Sequence, residues 1–342
     1  MRAFITGVAG PALTAAERQF LKETQPWGLI IFKRNVVDAP SLRRLVDEFR
    51  VMVGRDAPVL IDQEGGRVQR LGPPHWPTYP PGAAYGALYD QDRDAGLAAA
   101  RLGARLMAAD LTAVGIDVDC APLADVPVPG ADPIVGDRAY GTEPDKVAAI
   151  AGAIATGLAD GGILPVLKHI PGHGRATADS HHRLPAVDTD SATLNATDFA
   201  AFRPLAALPM AMTAHVVFTA FDPLAPATAS ATIVRDVIRD SIGFKGLLMS
   251  DDISMGALSG SLGERTGAAL AAGCDMVLHC NGNMPEMLAV AAATPLLAGQ
   301  AARRAAAALA MRQAAKPIEL AAARVEFRNL MAGAWQPAQG LA

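Results

Sequence analysis

A (β/α)8 TIM-type barrel of the α/β class is the fold this sequence predicts, on three observations: eight short apolar, β-branched runs, helical periodicity between them, and long loops on one side of that alternation. The runs fall at 2–6, 28–32, 58–62, 116–120, 164–169, 210–216, 247–250 and 275–279. Their apolar residues are continuous rather than alternating, as expected of parallel strands buried on both faces. The first run leads to a helix over 15–23, opened by a capping box at Thr14-Ala15-Ala16-Glu17. The second leads to an amphipathic helix over 41–53 whose Asp47 and Glu48 read as a solvated face. Helices over 92–114, 143–160, 197–208, 231–242 and 264–272 follow the third to seventh runs, and an Ala-rich helical stretch begins at Pro285. The helices after Gly299 are extra cover, and residues 1–342 are expected to form one catalytic domain. A doubly wound sheet is the alternative, but no GxGxxG turn follows the first strand.

Composition narrows the function. With 30 Lys+Arg against 34 Asp+Glu, a formal charge of −4 and no basic block, a nucleic-acid surface or polybasic membrane contact is not expected. Residues 200–221 are apolar but carry Arg203, Pro204, Pro209 and His215, which excludes a membrane span there. Cys120, Cys274 and Cys280 have no CxxC spacing, so they read as small core residues in a reducing cytosol. The first ten residues lack an apolar core of signal-peptide length. A cytoplasmic, monomeric protein acting on a small molecule is the expectation.

The longest connections, 63–89, 123–142 and 170–196, follow the third, fourth and fifth strands. Loops of that length without regular structure usually serve function, and in a barrel these lie at the C-terminal face. Asp62 ends the third strand before Gln63-Glu64-Gly65-Gly66-Arg67-Val68-Gln69-Arg70. The glycines allow a tight turn that returns Arg67 or Arg70 toward the carboxylate, a pair suited to gripping hydroxyl groups; a structural ion pair at the rim is the alternative. Lys168 and His169 close the fifth strand, where alternation sends neighbours to opposite sides unless the strand ends between them. The loop beyond carries His173, His181 and His182, and with His169 it holds four of the seven histidines. A metal site is the rival reading, but HxH and HExxH spacings are missing, and neither metal nor cofactor is expected. In Asp179-Ser180-His181 the carboxylate can fix one ring nitrogen and leave the other to move a proton. Asp251 and Asp252 follow the seventh strand; one should face the site and the other bind local backbone, and periodicity does not say which. Arg138 sits late in the loop after the fourth strand, as a further clamp or a surface partner of Asp137. Trp76 and Tyr140 are the aromatic candidates for stacking on a ring.

These stretches, with Gly136-Asp137-Arg138-Ala139-Tyr140-Gly141, Pro171-Gly172-His173-Gly174 and Ser250-Asp251-Asp252, together resemble glycoside hydrolase family 3 and its single-domain bacterial β-N-acetylglucosaminidases. The resemblance implies Asp251 as nucleophile, His181 as proton donor and acceptor held by Asp179, and Asp62, Arg70, Arg138, Lys168 and His169 as binders of N-acetylglucosamine. It implies a retaining double displacement on muropeptides, with an imidazole in place of the usual second carboxylic acid. His182-Arg183, where an apolar residue is more usual, and Asp132-Pro133, where Asn-Pro is common, depart from the family pattern. Phosphorolysis, substrate-assisted hydrolysis, a chelator-sensitive metal hydrolase and a silent sugar sensor are the competing readings.

Overall fold

The computed structural model describes residues 1–336; residues 337–342, the end of the expected single domain, lie outside them. Eight strands close a barrel in chain order: β1 (Arg2–Thr6), β2 (Pro26–Ile31), β3 (Val59–Ile61), β4 (Val118–Asp119), β5 (Leu164–Ile170), β6 (Met210–Thr213), β7 (Leu247–Asp252) and β8 (Met276–His279). All neighbouring pairs are parallel, and β8 closes onto β1 with Phe4 opposite Val277 and Thr6 opposite His279. The expected (β/α)8 architecture is therefore the observed one. Around the barrel run α1 (Ala15–Thr24), α2 (Ala39–Val53), α3 (Gly82–Gln91), α4 (Arg93–Ala113), α5 (Pro144–Asp160), α6 (Ser191–Ala196), α7 (Leu262–Ala272), α8 (Met284–Ala293), α9 (Gly299–Ala310) and α10 (Leu320–Met331).

Side-chain alternation splits the core into two layers. Ala3 and Ile5 of β1, Leu164 and Val166 of β5, Leu247 and Met249 of β7, and Met276 and Leu278 of β8 fill the barrel interior. Their neighbours, such as Phe4, Leu167, Leu248 and Val277, face the helices. Ala305 and Ala308 of α9 join the interior layer, with Leu297 and Leu309 packed against it, so this helix closes the N-terminal end of the barrel. Cys120 belongs to the interior and Cys274 to the outer layer, both buried and unbridged.

Helix boundaries follow local chemistry. Thr14 and Glu17 form the reciprocal capping box of α1, and Ser261 and Glu264 form that of α7. Gly54 at φ 65° and Gly273 at φ 112° end α2 and α7 in the left-handed region, which a Cβ disfavours.

Four expectations need correction. The connection 63–89 is not structureless: it holds a short hairpin, Gln63–Gly65 against Val68–Gln69, and helix α3. The helix expected over 197–208 is instead the 3-10 turns Phe199–Ala201 and Arg203–Leu205, because Pro204 has no N–H to continue an α-helix. The segment expected as an α-helix over 231–242 is a π-helix, Ile233–Ser241. β3 and β4 are also shorter than expected, and carboxylates complete the ladder at their ends. Val59 N donates to Asp117 Oδ1 at 2.7 Å, and Gln63 N donates to Asp119 Oδ1 at 3.0 Å. Among the described residues no helix is long and apolar enough to cross a membrane.

Candidate active site

The C-terminal ends of the strands surround a cavity of about 570 Å³, within the range that holds a small ligand. Asp62, Arg70, Arg138, Lys168, His169, Asp179, His181 and Asp251 all line it. The eight residues to which the sequence assigned catalytic or polar binding roles are thus brought to one place.

One side is a web of charges. Asp62 accepts from Arg70 Nη2 at 2.9 Å and from Lys168 Nζ at 3.0 Å. Arg138 donates to both oxygens of Glu64, from Nε at 2.9 Å and Nη2 at 2.8 Å, a bidentate grip that fixes the guanidinium plane. Lys168 Nζ also lies 2.5 Å from Glu64, and with 2% of its side chain exposed it depends on both carboxylates for compensation. Burial alone would raise the Asp62 pKa, but Lys168 and Arg70 outweigh it and bring it down to about 2. Glu64 is likewise pulled down against burial by Arg138 and Lys168. Both acids are acceptors only, so they can receive hydrogen bonds from sugar hydroxyls.

Lys168 and His169 both line the cavity rather than alternating, since β5 shifts register against β6 between Leu167 and Ile170. His169 Nδ1 meets the fully buried Asp125 Oδ2 at 2.7 Å, leaving Nε2 as its other bonding atom. Asp125 Oδ1 also accepts from the backbone N–H of His173 at 2.6 Å. Burial would raise the Asp125 pKa, but His169 and His173 hold it low.

Of the adjacent carboxylates, Asp252 binds local backbone. Its oxygens accept from Ser254 N at 3.0 Å, Ser254 Oγ at 2.7 Å and Cys280 N at 3.3 Å. Asp251 accepts the Asp252 N–H at 2.7 Å through Oδ1. Its pKa is lowered because nearby His215, His169 and Lys168 and that N–H outweigh burial, so it is a carboxylate at neutral pH. His215 is itself buried, bonded to Thr228 Oγ1 at 2.7 Å and to the Asp252 carbonyl at 3.0 Å. His181 sits on a turn over the cavity with 58% of its side chain exposed. Its Nδ1 lies 2.7 Å from Asp179 Oδ1, which also accepts the His181 backbone N–H at 2.9 Å. Burial would raise the Asp179 pKa, but those two bonds lower it. A carboxylate on Nδ1 favours the tautomer whose Nε2 can accept or give a proton.

Other details differ from the sequence reading. Arg70, not Arg67, returns to Asp62; Arg67 bonds Asp137 at 3.2 Å and backbone carbonyls of the same loop. Trp76 and Tyr140 are buried away from the cavity. The aromatic ring that lines it is Phe32, with the guanidinium carbons of Arg34 and Arg70 at 4.9 and 5.1 Å from its centroid. Sequence reading passed over Glu64 and Asp125 as site residues. Glu64 could have been found by its spacing, two residues beyond Asp62 on an extended segment, whereas Asp125 in a loop carries no such signal.

Residues 5–310 match the Glycosyl hydrolase family 3 N terminal domain. A protein named beta-hexosaminidase from Alkalilimnicola ehrlichii is 39% identical over 279 residues, 80% of this chain and 79% of its own length. A second, from Chromobacterium violaceum, is 39% identical over 296 residues, 84% of this chain and 82% of its own. Among solved structures, NagZ from Neisseria gonorrhoeae in complex with N-trifluoroacetyl-D-glucosamine superposes with a TM-score of 0.83. It has 30% identity and covers 97% of this chain and 96% of its own. The beta-N-acetylhexosaminidase of Beutenbergia cavernae gives a TM-score of 0.77 at 26% identity, covering 90% and 96%.

Proposed function

The chain belongs to glycosyl hydrolase family 3 and is a β-N-acetylhexosaminidase, and from the cavity's chemistry we propose that it releases terminal N-acetylglucosamine from muropeptides by a retaining double displacement. The observation that carries this reading is the pairing, in one cavity, of an ionised Asp251 with a His181 ring fixed by Asp179.

In the first step a carboxylate oxygen of Asp251 bonds to the anomeric carbon while the glycosidic C–O bond breaks. The leaving oxygen takes the proton from His181 Nε2. In the second step water attacks the glycosyl ester, His181 Nε2 takes a water proton, and Asp251 is freed as a carboxylate. Asp179 holds the Nδ1 proton throughout and stabilises the imidazolium of the resting acid. An imidazole can both give and take a proton at this exposed position, without the deep burial a carboxylic acid would need for the same task. Asp62, Arg70, Arg138, Lys168 and His169 grip the sugar, and the exact complement is set by Glu64 and Asp125 behind them. The bound amide-bearing glucosamine of the gonococcal relative supports N-acetylglucosamine as the sugar. The muropeptide aglycone rests on the family resemblance.

Hydrolysis of a chromogenic β-N-acetylglucosaminide tests the reading. Asp251→Ala is expected to lower kcat/KM on the order of a thousandfold or more. Intact-protein mass spectrometry with a slow fluorinated substrate should place a sugar adduct on Asp251. Full activity in Asp251→Ala, or repeated absence of the adduct during turnover, would exclude the double displacement.

A further inference from the structure

The groups that the double displacement uses come from different parts of the chain, Asp251 from the end of β7 and His181 from the long loop after β5. Something must hold one in register with the other. Bonds inside the His181 turn set its shape but not its place: His182 N and Arg183 N donate to the Asp179 carbonyl at 3.0 and 3.1 Å. Its place is fixed by contacts from outside. Gly256 N donates to the His181 carbonyl at 3.1 Å, and Ala257 N donates to the Ser180 carbonyl at 3.0 Å. On the other side, His173 Nε2 lies 3.0 Å from Ser180 Oγ.

The turn that leads to Gly256 is anchored on Asp252, the neighbour of Asp251. Asp252 holds Ser254 through both its N–H and its hydroxyl, and Met255 N donates to the Asp252 carbonyl at 3.1 Å. A short backbone path therefore runs from Asp251 through Ser254 and Gly256 to the carbonyl of His181. The approach at Gly256 leaves no room for a side chain. A Cβ there would stand 2.8 Å from the His181 carbonyl oxygen and 2.9 Å from that of His182. Both are backbone atoms, so the clash is relieved by moving the turn rather than by rotating a side chain.

We infer that Gly256 is a positioning residue for proton transfer: its bare α-carbon and its N–H clasp the His181 turn against the end of β7, with the His173–Ser180 bond as the second jaw. The inference rests on the function proposed above. A methyl group at Gly256 displaces the imidazole from the leaving oxygen while leaving Asp251, which precedes the clasp, in place. Only bond cleavages that need a proton then suffer.

The test compares kcat/KM for phenyl and 2,4-dinitrophenyl β-N-acetylglucosaminides, since the dinitrophenolate leaves without protonation. For Gly256→Ala the phenyl substrate is expected to lose roughly tenfold or more and the dinitrophenyl substrate less than about threefold. Ser180→Ala, which keeps the backbone clasp but loses the second jaw, should show the same split at smaller size. His181→Ala is the reference for its full extent. Equal losses on both substrates, or no loss on either, overturn the inference. If Gly256→Ala does not fold, Ser180→Ala decides by the same criteria. Wild-type protein inactive on both substrates would instead overturn the proposed function, so the two failures are distinguishable.

Discussion

At the scale of single residues, Glu64 illustrates how a site is supported by groups that need not touch a substrate. It is the carboxylate shared by Arg138 and Lys168, and removing its charge leaves the buried Arg138 without its carboxylate and Lys168 with Asp62 alone. Breaking a buried pair from one side costs about 3–5 kcal/mol, far more than an exposed one. Glu64→Gln keeps the shape and is expected to lower unfolding stability by about 3 kcal/mol, read as a lower urea midpoint, and to raise KM with the Arg138 fork released. An unchanged midpoint and KM would show that the two cations are compensated by other groups. Exposed pairs such as Arg43 with Asp47 on α2 should give changes near zero under the same assay.

At the scale of elements, α9 acts at the end of the barrel opposite the cavity. Ala305 and Ala308 are small because they pack directly against the interior layer of the strands. Ala308→Leu overfills that contact and is expected to cost about 1–3 kcal/mol, lowering the thermal midpoint while KM for the chromogenic substrate stays at its wild-type value. A shift in KM would show that the base of the barrel communicates with its mouth. The strands were legible because parallel barrel strands are apolar on both faces, so 2–6 and 164–169 stand out without any partner in view. Helix α3 was not, since its Gly82, Gly86 and flanking prolines look like a loop. Those glycines instead admit backbone at close quarters: a Cβ at Gly82 would lie 2.0 Å from the Arg138 carbonyl, and one at Gly86 2.0 Å from that of Tyr140. Likewise the eight chosen site residues were legible because they sit in dense polar motifs. Gly256 was not, because its partner is 75 positions away in sequence and its role is to be absent as a side chain.

At the scale of the whole molecule, the depressed carboxylates make this fold sensitive to acid. Asp62, Glu64, Asp125, Asp179 and Asp251 all have folded pKa values below their ordinary ones. The unfolded chain therefore binds more protons as pH falls through about 4. Their stabilisation is fully present above that pH and is lost as pH drops toward the folded values, about 2 for Asp62. Asp119 opposes the trend: burial raises its pKa well above the ordinary value, so it favours the fold as acid is added. The net expectation is a urea midpoint that falls between pH 4 and pH 2, with Asp62 contributing about 2 kcal/mol. Asp62→Asn should flatten that slope, and a midpoint independent of pH across the window would contradict the assignment of these groups as ionised partners.

The packed interior of the barrel, with α9 beneath it, also bears on how traffic moves. Under the function proposed above, a cavity floored by packed side chains admits only the tip of a glycan strand, and each sugar released leaves by the side on which it entered. Digestion of a long oligomer should then proceed by separate encounters, shortening every strand in the population a little rather than consuming a few strands to completion.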